Sequence, residues 1–294
     1  MTAPRVPETA GLEDGSRPRP HFRGSELMDC PRAPDALTVI APCLNEAENI
    51  DVLVGRTLGA FDDGNIAGAL VLVDDGSTDG TWSRIQSCTE REGRVRGCRH
   101  PHNMGMEAAW RTGLKAAQTP LVCLIDADLQ NRPEDIVRLH AEYGRTHADL
   151  VQAVRHPARG VRRGYTFSRG LNFLLNLTFR MNMRDNKSGF ILTRTGILEV
   201  LLSHRFQYRY FQCFLGASAK VQGYAVAEVD TVFDRRHGGA SFLSRFPIGV
   251  CLRALWELLK FRLETAWHGA RRTEPSGTSW SGPAVLADTT EGGR

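Results

Sequence analysis

Two aspartates one residue apart, Asp126 and Asp128, close the apolar run LVCLI in the stretch LVCLIDADLQNRPEDI. Carboxylates at the tip of a buried strand repel each other and lose hydration, so the pattern asks for a cation between them. Hard oxygen ligands of this kind suit Mg2+ or Mn2+. These ions take one or two protein carboxylates and complete their shell with phosphate oxygens and water. Held there, a divalent ion would bridge a diphosphate and neutralise charge on a departing nucleoside diphosphate. An isolated Asp-x-Asp is also common on solvated loops, so the reading depends on its company. Two further clusters supply it. Pro42, Asn45 and Glu46 close the run LTVIAPCL, and Asp74-Asp75-Gly76-Ser77 closes ALVLV. The second cluster reads either as hydrogen-bonding groups for a nucleotide base or ribose, or as ordinary turn formers.

The elements that must position these groups alternate along the chain. Strands are expected at 37–44, 69–77, 121–128 and 148–155. Helical patterns follow in NEAENIDVLVGRTLGAF, TDGTWSRIQSCTER, HNMGMEAAWRTGLKAA and, from Pro133, RPEDIVRLHAEYGRT. Strand–helix alternation implies right-handed crossovers and a mainly parallel α/β sheet with helices on both faces. Ligands of such sheets bind beyond the carboxyl ends of the strands, where all three clusters fall. They therefore read as one site.

The 294 residues are ordinary for a globular protein, with 41% hydrophobic and 24% charged residues and a net charge of +4. Only four of the 37 basic residues are lysine, a bias that reflects genome composition. No basic run interleaved with aromatics suggests a nucleic-acid surface. The seven cysteines are scattered with no Cys-x-x-Cys pair, which argues against a disulfide framework or a zinc site. The polar, Pro- and Arg-rich start lacks the apolar core of a signal peptide, and no run is long enough to span a bilayer; a cytoplasmic protein is expected. Residues 1–35 and 269–294 carry no periodicity and are expected to be disordered tails.

TVIAPCLNEAENI, VLVDDGSTDGT, HNMGMEAAWRTGL and DADLQNRPEDI occur in order and at the spacing of the inverting glycosyltransferases of family 2, which the chain strongly resembles over residues 36–245. The DADLQ-x-x-PE form is most similar to the branch of dolichyl-phosphate mannose synthases and polyprenyl-phosphate glycosyltransferases. The resemblance implies a GT-A fold, a UDP- or GDP-linked sugar donor and a Mg2+ or Mn2+ cofactor. It implies that Pro42, Asn45 and Glu46 form a nucleotide-contacting loop, that Asp74, with Asp75 beside it, meets the base, and that Asp126 and Asp128 hold the metal–diphosphate. Gln130 and Glu134 fall beside donor sugar and metal. Leu44 stands where many relatives have an aromatic.

In the second half, Arg155 and Arg169 match arginines that contact phosphates in the resembled branch, and guanidinium forks suit phosphate oxygens. Asp185, Ser188, Gly189 and Phe190 in MRDNKSGFILTR match the segment beside the donor sugar. If the acceptor is a hydroxyl, inversion needs a base, and Asp185 is the candidate; a lipid phosphate is already an anion and needs none. Asp185 also reads as a turn residue before a strand. Arg236, Gly239 and Ser241 match a segment closing over the diphosphate, with Phe242 in place of the usual lysine. Segments 165–181 and 246–267 are amphipathic. They suit core packing, a homo-oligomer contact or a membrane interface, leaving peripheral attachment at the inner face of the membrane open. Three readings therefore stand: transfer to a polyprenyl phosphate, transfer to a hydroxyl of a soluble nucleoside- or sugar-containing metabolite, and a catalytically silent sugar-nucleotide-binding module.

Overall fold

The architecture comes from a computed structural model that describes residues 36–157, 165–204, 206, 208, 211–234 and 256–265. The expected tails lie outside the described residues. Seven strands form one sheet in the order β3-β2-β1-β4-β6-β5-β7. They are β1 (Leu37–Cys43), β2 (Gly68–Asp74), β3 (Val95–Arg99), β4 (Leu121–Leu124), β5 (Leu150–Pro157), β6 (Ile191–Arg194) and β7 (Val226–Phe233). All pairings are parallel except those of β6, which runs antiparallel to both β4 and β5. The helices are α1 (Ile50–Asp63), α2 (Thr81–Arg91), α3 (Met106–Ala116), α4 (Asp135–Thr146), α5 (Tyr165–Phe179), α6 (Thr195–Leu202), α7 (Leu215–Val221) and α8 over residues 256–265. A 3₁₀ turn covers Phe211–Cys213.

Alternation along β1 divides the core. Leu37, Val39, Ala41 and Cys43 face α1, α2 and α4, whereas Ile40 faces Trp110 and Leu114 of α3 and the residues of α6. The central strands are buried on both faces, which is why they read as unbroken apolar runs. The chain moves outward from β1 to β2 and β3, then returns past β1 to β4. A switch point of this kind opens a crevice at the carboxyl ends of β1 and β4. The register brings Cys43 level with Asp74 and Ile40 level with Leu124, so the three polar clusters emerge side by side.

α3 lies close on β1 because Gly113 presents no side chain: a Cβ there would stand 2.3 Å from Ile40 Cγ2. Alanine is the better helix former by about 1 kcal/mol, yet overpacking a buried contact costs about 1–3 kcal/mol. Gly113→Ala should therefore destabilise the protein by up to about 2 kcal/mol despite its higher propensity. A fall in Tm of several degrees checks this; an unchanged or higher Tm contradicts the packing.

Candidate active site

The first wall is built by the loops after β1 and β2. Asn45 adopts a left-handed backbone (φ 56°), its N–H donates to Ser77 Oγ at 2.9 Å, and its Oδ1 accepts from Thr78 N at 2.9 Å. The Glu46 N–H donates to Thr81 Oγ1 at 2.9 Å, and its buried carboxylate accepts from the Asn49 amide at 2.6 Å. Pro42 sits one step inside, opposite Val73. Asp74 is fully buried; Oδ1 accepts from Ser77 N at 2.9 Å, and Oδ2 lies 3.1 Å from Arg99 Nε. Gly76 turns the chain at φ 75°, where a Cβ would meet the His102 backbone at 2.3 Å; glycine alone fits.

Asp75 faces away from Asp74. Its carboxylate accepts from Met104 N and Gly105 N, each at 2.8 Å, and pairs with His100 Nδ1 at 2.7 Å. Its charge lies just ahead of the N-terminus of α3, where it complements the helix dipole. Asp75 thus holds the loop that carries His102 and Asn103.

The second wall follows β4. Leu129 is left-handed (φ 60°) and buried, pinning the turn that bears Asp128 and Gln130. Asp128 Oδ1 accepts from Gln130 N at 3.1 Å, and the Asn131 amide lies 3.4 Å from Asp126 Oδ2. This turn is stapled to the end of β7. Arg132 forks onto Asp234 at 2.5 and 2.9 Å, and Asp234 N donates to Gln130 O at 2.8 Å. Glu134 forks onto Arg56 of α1 at 2.7 and 2.6 Å, tying α4 to α1. That ion pair engages its carboxylate.

Beyond β4 lies a charged centre. Arg155, at the end of β5, forks onto Asp185 through Nε–Oδ2 at 2.7 Å and Nη2–Oδ1 at 3.1 Å, and its guanidinium covers the Phe233 ring at 5.3 Å. Lys187 Nζ stands 3.7 Å from Asp185 Oδ1. Burial favours the neutral carboxyl of Asp185, but the Arg155 fork and Lys187 outweigh it and hold the pKa below the usual 3.8. Burial likewise opposes charge on Arg155, which Asp185 and, further off, Asp126 override. Lys187 has a lowered pKa because burial dominates. Beside them Ser188 is fully buried, and its Oγ has no hydrogen-bond partner among the described residues. Gly189 follows, facing Trp110.

The structure therefore gathers Asp126, Asp128, Gln130, Arg155, Asp185, Ser188 and Gly189 around the ends of β4, β5 and β6, with Asn45, Glu46 and Asp74 on the facing wall. The side chain of Arg169, and all of Arg236, Gly239, Ser241 and Phe242, lie outside the described residues. Lys187, Asn131 and Asp234 escape sequence reasoning, although Lys187 and Asn131 sit inside the very motifs that mark the site.

The donor set suits a divalent cation shared with a ligand. Asp126 and Asp128 offer hard oxygens, and the Asn131 amide oxygen beside them is buried with no partner among the described residues. No group of three or more His, Cys, Asp or Glu able to hold a metal occurs among the described residues.

Comparison with known proteins bears on this geometry. The sequence profile of glycosyl transferase family 2 matches residues 38–202. The chain belongs to that family. It is 27% identical over 232 residues to the dodecaprenyl-phosphate galacturonate synthase of Rhizobium johnstonii, covering 76% of this chain and 65% of the relative. It is 33% identical over 172 residues to an undecaprenyl-phosphate 4-deoxy-4-formamido-L-arabinose transferase of Pseudomonas paraeruginosa, covering 58% and 50%. The chain thus spans about half to two thirds of the length of these curated relatives. Among solved structures, glucosyl-3-phosphoglycerate synthase from Mycobacterium tuberculosis in complex with Mn2+, UDP and phosphoglyceric acid superposes with a TM-score of 0.54 at 21% identity, covering 70% of this chain and 72% of that one. S. aureus TarS in complex with UDP-GlcNAc gives 0.53 at 18%, covering 71% and 62%. The fold is that of the family 2 glycosyltransferases, the GT-A type expected from the four motifs.

Proposed function

We propose that this chain is a metal-dependent inverting glycosyltransferase that moves a sugar from a nucleoside-diphosphate sugar to a polyprenyl phosphate. The observation that carries the reading is the state of Asp185. A base must hold a lone pair ready for the acceptor proton, and its pKa must approach the working pH. Asp185 instead has both oxygens engaged by Arg155, a second cation nearby, and a pKa held down. An acceptor that arrives already ionised, as a phosphate monoester does, needs no base. The names of the curated relatives point to the same acceptor class.

In this reading an oxygen of the acceptor phosphate forms the new bond to the anomeric carbon, and the bond to the diphosphate breaks with its electron pair on the leaving oxygen. Asp126 and Asp128 would hold Mg2+ or Mn2+, which supplies positive charge for the departing diphosphate. Asn45, Glu46 and Asp74 lie along the nucleotide, and Gln130, Ser188 and Gly189 along the sugar. Arg155 keeps Asp185 ionised and orders the acceptor side.

Attachment to a membrane surface completes the reading. No helix of the described residues is long and apolar enough to cross a membrane. On α8, Trp256, Leu259 and Leu263 are exposed at i, i+3 and i+7, while Leu258 and Phe261 are buried beneath them. Phe173, Leu174 and Leu177 are exposed on α5, and Phe179 of α5 meets Phe261 of α8 at 5.3 Å. Adjacent helices with apolar outer stripes suit an interface between water and lipid.

The test is a transfer assay with UDP- and GDP-linked sugars in Mn2+, offering undecaprenyl phosphate in vesicles against soluble hydroxyl acceptors. Transfer to the lipid phosphate is expected. Transfer to hydroxyls alone would overturn the acceptor, and sugar-nucleotide binding with no turnover on either would leave only a binding module.

A further inference from the structure

Asp185 lies on a stretch, residues 182–189, that carries neither helix nor strand. Without a ladder, its N–H and C=O groups need side-chain partners. Two such partners come from α5. Asn172 and Asn176 are four residues apart and share one face of the helix. Asn172 Nδ2 donates to the carbonyls of Met183 at 3.0 Å and Arg184 at 3.2 Å, and its Oδ1 accepts from Asn186 N at 2.7 Å. Asn176 Nδ2 donates to Met183 O at 2.8 Å; its Oδ1 accepts from Met183 N at 3.1 Å and from the Asn186 amide at 2.9 Å. The third partner comes from the sheet. Gln152, fully buried on β5, donates through Nε2 to Asp185 O at 3.2 Å and to Ser188 O at 2.9 Å.

These bonds require amides. Each asparagine meets carbonyls at one end and N–H groups at the other, and only a side chain with donor and acceptor side by side answers both. Stability alone argues against such residues here. Asparagine is a poor helix former, and α5 carries two on one face. Gln152 Oε1 and Asn186 Oδ1 are buried with no hydrogen-bond partner among the described residues, a condition that costs stability. Gly216 of α7 leaves room for the Gln152 amide, since a Cβ there would stand 2.4 Å from Oε1. What the amides provide is a fixed backbone on both sides of Asp185. The Arg155 fork, with contacts of 2.7 and 3.1 Å, tolerates little displacement of that carboxylate.

We propose that Asn172, Asn176 and Gln152 are positioning residues for Asp185, fixing the backbone of residues 183–188 so that its carboxylate meets Arg155 in the geometry that transfer requires. The assignment rests on the reading that places Asp185 in the reacting centre, and deepens it.

A double-mutant cycle tests it, with transfer to undecaprenyl phosphate in vesicles measured per folded protein, well below the unfolding transition. Asn172→Ala, at a half-buried position, and Gln152→Met, which keeps side-chain length, should each lower kcat about tenfold to a hundredfold, the size of effect that a small misplacement produces. The Mn2+-dependent thermal shift given by UDP or GDP should stay as in wild type, because Asp74, Asp126 and Asp128 lie off this segment. In an Asp185→Asn background each substitution should lower kcat by less than about twofold, since nothing is left to position. Gly113→Ala, which loses stability at another site, should keep the wild-type kcat. An equal loss in both backgrounds would mean that the amides act without Asp185, and would overturn the assignment. So would an unchanged kcat in the single variants, or an equal fall in Gly113→Ala. Failure of both single variants to fold would place the amides in the scaffold and overturn it too. If Asp185→Asn alone transfers as fast as wild type, the reading of the reacting centre itself fails, and the assignment falls with it.

Discussion

Asp128→Ala should lower the rate of sugar transfer by about three orders of magnitude while leaving the fold intact. A metal ion at the departing diphosphate contributes several kcal/mol of charge stabilisation in the transition state, and each 1.4 kcal/mol is about tenfold in rate. The stability cost is small by comparison. The Asp128 carboxylate is half-exposed and caps its own turn through Gln130 N, an interaction of about 1 kcal/mol. Rate and stability therefore separate cleanly. Initial rates measured in Mn2+ give the first quantity. Thermal shifts with UDP or GDP, with and without Mn2+, give the second, since a ligand that binds only the native state raises stability with its concentration over Kd. The metal-dependent increment should vanish in the variant. Equal turnover by wild type and variant would remove the Asp126–Asp128 pair from the chemistry.

Asp185→Asn carries the second large effect, and here stability and rate fall together. The substitution keeps shape but leaves Arg155 and Lys187 facing one another without the intervening carboxylate. Breaking a buried ion pair by removing one partner costs about 3–5 kcal/mol; the Arg155 side chain retains 23% exposure, which puts the expectation at the lower end. The pH dependence has a definite sign. Because the folded carboxyl titrates below its unfolded value near 3.8, its stabilisation is complete above that value and is lost as pH falls through the folded pKa. The Tm difference between wild type and variant should be flat from about pH 8 to 5 and shrink below about 4. Transfer to polyprenyl phosphate should slow in the variant, yet its pH–rate profile should keep the wild-type shape, because in the proposed reaction no proton passes through this residue. An acid limb present in wild type and absent in Asp185→Asn would restore the residue as a general base.

What could be read in advance follows from how each element is buried. β1, β2 and β4 were legible because strands covered on both faces become uninterrupted apolar runs, and β5, LVQAVRHP, was legible from the apolar positions at its start and its place after a helical pattern. β3, VRGCR, pairs on one side only and carries two arginines and a glycine, so nothing in its composition separates it from a loop. β6 has four residues, and β7, VAEVDTVF, lies at the edge of the sheet beside β5 and mixes polar with apolar positions. The same limit applies in the site. Residue type marks Asp74 and Asp75 equally, but only the fold shows one turned to Ser77 and Arg99 and the other spent on the turn that enters α3. The Asp234 staple joins residues 102 apart and leaves no local trace. Lys187 looks like one charge in a polar segment until β5 delivers Arg155 to the same carboxylate.

The reversed strand β6 sets an order of events during biosynthesis. The half-sheet β3-β2-β1-β4 can pair within itself once residue 124 has been made, leaving only the β4 edge that β6 later covers. β5 cannot, because both of its neighbours, β6 and β7, come later in the chain. On the ribosome, residues 150–157 therefore wait with both edges bare until β6 is complete at residue 194, and with one edge bare until translation passes residue 233. A lone strand of that kind is the one most prone to pair with another chain. Chaperone protection during synthesis should accordingly be concentrated on this window, long before any donor or acceptor can bind.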